Sequence, residues 1–275
     1  MKKLVKIVLL APVIIIAAAG CDQGSPVEPA ESLLVVQAYL YAGKPVDDIR
    51  LTSTLSLSAE DSLAPTVHDA DVVLWKQGNS YGLIASSGDS GYYHYPGNDL
   101  DVNSGDDFSI EILYNGQTVY AETSVPEVPD NAALSSETLY VPGDINPFDA
   151  DWNPADYSID LTWSNEDSSL FYVVVECVED NPEEISTWMG GNRRPAGMIT
   201  APRVNDSYTM SFRDVAFLGN HTITLFRVNR EYADLYTSRQ QDSRDLNEPL
   251  SNIEGGLGVF SAFAGKTFQV NVVEK

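Results

Sequence analysis

The chain has 275 residues, 43% of them hydrophobic, which is enough apolar material for a packed core and excludes an intrinsically disordered protein. Its 40 acidic residues against 16 basic ones give a net charge of −24, and Arg193–Arg194 is the only adjacent basic pair beyond residue 20. No stripe of Lys and Arg exists to displace counterions from phosphates, so nucleic acid is excluded as a partner.

The first residues read as an export signal. Lys2, Lys3 and Lys6 precede an apolar run from Ile7, and the small residues Ala18, Ala19 and Gly20 stand immediately before Cys21. The run is short for a bilayer core, which needs about 20 residues. A cysteine directly after small residues is the mark of lipoprotein processing, with cleavage before a lipidated Cys21 as the leading reading; an uncleaved anchor and an ordinary secreted protein are the alternatives. The usual large residue three places before the cysteine is Ala18 here. Two or three acyl chains hold a soluble domain at a membrane where one barely does, so residues 1–20 are expected to be the signal peptide and 21–31 a Gly- and Pro-containing tether. Loss of the signal lysines leaves 13 basic residues and a net charge of about −27.

Strand patterns follow in close succession: Leu33–Tyr41, Asp48–Leu57, Ala70–Lys76, Tyr81–Ser86, Gly91–Tyr95, Asp107–Tyr114 and Gln117–Val125. Asn115–Gly116 predicts a tight hairpin, because both residues tolerate the positive φ that such a turn requires. Prolines 126, 129, 142, 147 and 154 then interrupt regular periodicity and place a boundary near 126–130, followed by a long loop or edge segment. Strands resume at Tyr157–Trp163, Leu170–Val178, Ser207–Phe212 and His221–Asn229. A helix near 230–246 is expected, capped by Asn229 and laid across the second sheet, and two strands, Gly258–Ala264 and Thr267–Val273, close the chain. The predicted fold is all-β (mainly β): two immunoglobulin- or fibronectin-like β-sandwich modules, 32–127 and 128–275, with one helix in the second.

Candidate chemistry is sparse. Lipidation of Cys21 leaves Cys177 as the one other cysteine, so no intramolecular disulfide forms in the mature chain. Cys177 shares a strand face with Phe171, Val173 and Val175, which predicts a buried, inert thiol. His68, His94 and His221 are far apart in sequence, and no serine-hydrolase elbow, zinc helix, phosphate loop or dinucleotide fingerprint occurs. Asp99-x-Asp101-x-Asn103 begins like an EF-hand, but Ser104 replaces the glycine and Ile110 the closing glutamate. A looser Ca2+ site there, or at Asp144, Asn146, Asp149 and Asp151, competes with a solvated turn. Tyr93, beside Tyr92 and Tyr95, and the loop carrying Trp188, Arg193 and Arg194 are candidates for ligand or partner contact, with core burial competing for the tyrosines.

Several phrases together resemble domain-of-unknown-function family 4249: Asp69–Val72, Gly91–Tyr92, Val102 with Gly105, Ala121-x-Thr123-x-Val125-Pro126, Thr162–Trp163 and, most distinctively, Ser251–Phe260. The resemblance implies an envelope lipoprotein of a Gram-negative bacterium, often encoded beside a TonB-dependent outer-membrane receptor, with no catalytic residues to carry over. The expectation is therefore a noncatalytic accessory or ligand-capture lipoprotein of the outer membrane, on its periplasmic or cell-surface side. An envelope hydrolase and an adhesive or structural surface protein are the alternatives. Gly255, Gly256 and Gly258 fit a loop or bulge entering the next strand, with ligand or receptor contact as the second reading.

Overall fold

The computed structural model describes residues 32–55, 63–88, 90–143, 153–185, 197–239 and 251–275. Seven strands form the first half: β1 Leu34–Tyr41, β2 Asp48–Ser53, β3 Asp71–Lys76, β4 Asn79–Ala85, β5 Tyr92–His94, β6 Asp107–Tyr114 and β7 Gln117–Ser124. The second half carries β8 Ala133–Leu134, β9 Thr138–Val141, β10 Ser158–Thr162, β11 Leu170–Cys177, β12 Gly197–Ile199, β13 Ser207–Ser211, β14 Gly219–Val228, helix α1 Arg230–Arg239 and β15 Leu257–Glu274.

The first core forms because β1 to β7 alternate as a half-buried sheet requires. Leu34, Val36, Ala38 and Leu40 of β1 point inward against Val72, Leu74, Phe108, Ile110, Ile112 and Val119. The β6–β7 hairpin turns at Asn115 and Gly116, both with positive φ, in the register the sequence predicts. A second core lies between the three-stranded sheet β13-β10-β8 and the larger sheet, and holds Ile159, Leu161, Trp163, Val173, Val175, Ile223 and Leu225. The chain is thus mainly β, built on two sandwich-like cores with one helix in its second half.

One strand ties these cores together. β15 runs for 18 residues, pairs parallel with β1 and antiparallel with β14, and also carries β9 on its far end. Phe260 and Ala262 enter the first core, Val270 and Val272 the second. Where two strands are expected there is one, and the residue that misleads is Gly265. It is not a turn: the Phe226 ring lies over it, so close that an added Cβ would sit 2.8 Å from the ring carbons.

Between the cores an aromatic cluster covers the other face of the same sheet. Tyr172 stacks on Phe226 at 5.1 Å and Tyr41 on Phe263 at 5.1 Å. Tyr232 of α1 stands edge-on to Phe263 at 4.9 Å and to Tyr39 at 5.9 Å. The helix therefore sits at the seam of both halves rather than across the second sheet alone. Asn229, just before the helix, accepts from Ala233 N through its carbonyl, and its side-chain amide donates to Thr123 Oγ1 and to the Ser124 carbonyl of β7. The proline-interrupted stretch also yields more than a loop, since β8 and β9 both come from it.

The glycines of Ser251–Phe260 fit the chain against β1 and β7. An added Cβ on Gly255 would lie 2.7 Å from the Thr118 carbonyl, and one on Gly256 2.9 Å from the Leu34 carbonyl. Asn252 imitates a strand neighbour, its Oδ1 accepting from Phe260 N and its Nδ2 donating to Phe260 O and Glu122 O. Backbone bonds between Tyr120 and Glu254 complete the seal along the edge of β7. In the structure this phrase is packing.

Candidate functional site

The solvent face of β3, β6 and β7 carries the side chains that their core-facing neighbours leave outside. Trp75 stands in line with Ser109 of β6, which in turn faces Glu122 of β7. The indole is 37% exposed and, among the described residues, makes no hydrogen bond or ring contact. Where this face meets the start of α1 there is a groove of about 770 Å³, lined also by Gln77, Asp107, Asn229, Arg230 and Glu231. Its size falls within the range of small-molecule sites.

Each carboxylate of the groove is steadied by a hydroxyl of the protein. Ser124 donates to Asp107 Oδ1 at 2.5 Å, Thr123 donates to Glu231 Oε1 at 2.9 Å, and the Tyr120 hydroxyl donates to Glu122 Oε1. The Glu122 carboxylate in return holds the Tyr120 hydroxyl above its ordinary pKa, keeping it protonated as a donor. Among the described residues Arg230 is the one cationic side chain of the lining; it reaches 3.8 Å from Asp234 and is otherwise well exposed. Three carboxylates, an amide-bearing rim and a bare indole offer stacking and hydrogen-bond acceptance to a ligand while repelling anions.

The acidic turn proposed for calcium holds a cation of its own. The Lys76 ammonium lies 2.7 Å from Asp106 Oδ2 and donates to the Asp101 carbonyl at 2.8 Å, with both charged side chains largely covered. Burial works to raise the Asp106 pKa, yet the Lys76 ammonium and the Asn103 N–H together bring it below the ordinary carboxylate value. Asp99 is engaged elsewhere, accepting from the Tyr95 hydroxyl at 2.6 Å. Among the described residues no group of three or more His, Cys, Asp or Glu converges as a metal site. Asp144, Asn146, Asp149 and Asp151 lie outside the described residues, as do Cys21, Trp188, Arg193 and Arg194.

Tyr93 is corrected from contact residue to core residue. It is 1% exposed, and its hydroxyl accepts from Ala70 N at 3.1 Å; Tyr92, on the opposite face, is the exposed member of the pair. Cys177 is half-buried at the end of β11 rather than fully inside. The groove residues were missed because Val72-Val73-Leu74-Trp75 reads as a continuous apolar run. In such a run the outward member is hidden, and only the polar turn Gln77–Ser80 hints that one face meets water.

His221 is the buried titratable group of the second core, 2% exposed, with Nδ1–H donating to the Gly219 carbonyl at 3.0 Å. Burial depresses its pKa below the ordinary value of 6.5, outweighing the Gly219 carbonyl and Glu179, which raise it. The unfolded chain therefore takes up a proton first as pH falls, and the stability held at neutral pH is lost from about 6.5 downward until the folded-state pKa is passed. We predict a falling urea midpoint between pH 7.5 and 5.5. The slope in that window should flatten in His221→Asn, which keeps a donor for Gly219; an unchanged slope would contradict the assignment.

These features define a mainly β protein with a tryptophan-walled groove on its first core. It belongs to the family described as Domain of unknown function (DUF4249), whose model matches residues 24–269. No curated protein matches the chain. Among solved structures, the crystal structure of domains A168–A170 from titin aligns at 10% identity with a TM-score of 0.21, over 88% of this chain and 66% of that one. The phrases that carry the family resemblance build the frame: Gly91 packs its backbone against Leu51, Thr123 holds α1, and Ser251–Phe260 closes the first core. Trp75 and Ser109 stand outside those phrases, and Glu122 is the unspecified position between Ala121 and Thr123.

Proposed function

We propose that this chain is a lipid-anchored protein of the outer membrane, anchored through Cys21, whose groove captures a ligand without chemical conversion for a TonB-dependent transporter. The address rests on the charged, apolar and small-residue order of positions 2–21, and the transport role on the family resemblance. Among the described residues no helix is long and apolar enough to cross a membrane. The observation that carries ligand capture is the groove itself: an exposed, unengaged Trp75 facing carboxylates that protein hydroxyls already hold in place.

Affinity purification of the tagged, lipidated protein from gently solubilised outer membranes, followed by mass spectrometry, tests the role. Recovery of one TonB-dependent receptor in near-equal amount is expected. Recovery of the lipoprotein alone would overturn the transporter assignment.

The second reading, an envelope hydrolase, draws on Asp107, Glu122 and Glu231 sharing one groove. Release of new reducing ends from an envelope polysaccharide, abolished by Glu122→Gln, would move the assignment to that reading.

A further inference from the structure

Resting on the ligand-capture reading, we propose that the groove takes a neutral, hydroxyl-rich chain, a glycan, with one sugar ring stacked on Trp75. The apolar side of a sugar ring matches an open indole face, and Trp75 is the one large aromatic in the lining that is exposed; Phe108 is buried in the core. Around it the acceptors stand where ring hydroxyls need them. Asp107, Glu122 and Glu231 each use one oxygen for a hydroxyl of the protein, Ser124, Tyr120 and Thr123 respectively, which leaves the other oxygen for a hydroxyl of the ligand.

Charge narrows the class. Among the described lining residues, three carboxylates against one guanidinium disfavour phosphorylated, sulfated or uronic-acid ligands. The hydrogen-bond partners these carboxylates already accept are all neutral hydroxyls, whereas the buried ammonium nearby, Lys76, is committed to Asp106 and Asp101. Hydroxyl donors are thus already seated on all three carboxylates of the groove. Its open flank along β6 and β7 admits a chain longer than one sugar, because Glu111 and Tyr120 continue the outward face one row beyond Ser109 and Glu122.

The test is calorimetric titration of the full-length lipidated protein in a detergent without sugar headgroups. The probes are maltohexaose, cellohexaose, xylohexaose, mannohexaose and laminarihexaose, with spermidine and polygalacturonate as the charged comparisons. At least one neutral hexasaccharide is expected to bind with a Kd below about 1 mM. Trp75→Ala is expected to weaken that binding by about tenfold or more, with partial recovery in Trp75→Phe. A urea midpoint unchanged by Trp75→Ala, as expected for a surface side chain, keeps folding out of the comparison. Three results would overturn the proposal: no hexasaccharide binding, tighter binding of spermidine or polygalacturonate than of every neutral probe, or full affinity retained in Trp75→Ala. The receptor pull-down is scored separately, so the glycan assignment and the transporter assignment fail independently.

Discussion

Replacing Gly258 with alanine is expected to cost the fold at least about 4 kcal/mol, a loss large enough to leave most of a marginally stable chain unfolded. Two effects act on the same atom. The residue holds φ at +114°, which side-chain-bearing residues rarely adopt, and an added Cβ would stand 1.9 Å from the Val36 carbonyl oxygen and 2.9 Å from Val36 N. The obstacle is the backbone of β1, which is itself locked between β2 and β15, so no side chain can swing away to relieve it. Gly78→Ala is the control. Gly78 also has positive φ, at +82°, but nothing lies within 4 Å of its would-be Cβ, so only conformational strain of about 1–2 kcal/mol is expected. Urea denaturation followed by tryptophan fluorescence separates the two; equal midpoints for both variants would refute the collision.

Lys76→Met is expected to destabilise by about 3 kcal/mol, because it strands Asp106 beneath the 99–107 turn without its counter-charge. A double change, Lys76→Met with Asp106→Asn, should recover most of that loss, since it removes the uncompensated charge rather than half of a pair. The pH dependence gives a second readout. The Asp106 pKa in the folded state lies below its ordinary value of 3.8, so the pair contributes fully above that value and is lost as pH falls through the folded-state pKa. Acid unfolding of Lys76→Met should accordingly lose part of its steepness below about pH 4. An unaltered acid limb and a midpoint shift below about 1 kcal/mol would show the ion pair to be superficial.

The two variants also mark where the sequence was readable. Period-two alternation in β1 and β6, and the Asn115–Gly116 turn, are local signals, and local structure obeyed them. Gly265 falls between the two strands expected at Gly258–Ala264 and Thr267–Val273, and a glycine under an aromatic ring and a glycine in a turn look alike until the ring, Phe226, is brought across from another strand. The acidic turn showed its carboxylates, but Lys76 arrives from the end of β3, and no spacing rule connects it to Asp106. Tyr93 and Tyr92 could be placed on opposite faces from their spacing; which face was inside depended on pairing with Ile49 and Arg50 of β2. The parallel partnership of β1 with β15 left no trace in either segment, and neither did the meeting of Trp75 with α1 in one groove.

That partnership governs the order in which the molecule can come into being. Val35 faces Leu257 and Tyr41 faces Phe263, contacts separated by on the order of 220 residues, so most of the chain must exist before the first core acquires its central neighbour. An emerging N-terminal half exposes one flank of β1 and lacks Phe260 and Ala262 from its interior. The first core is complete only with this 18-residue strand in place. Loss of that strand would take Phe260 and Ala262 out of one core and Val270 and Val272 out of the other.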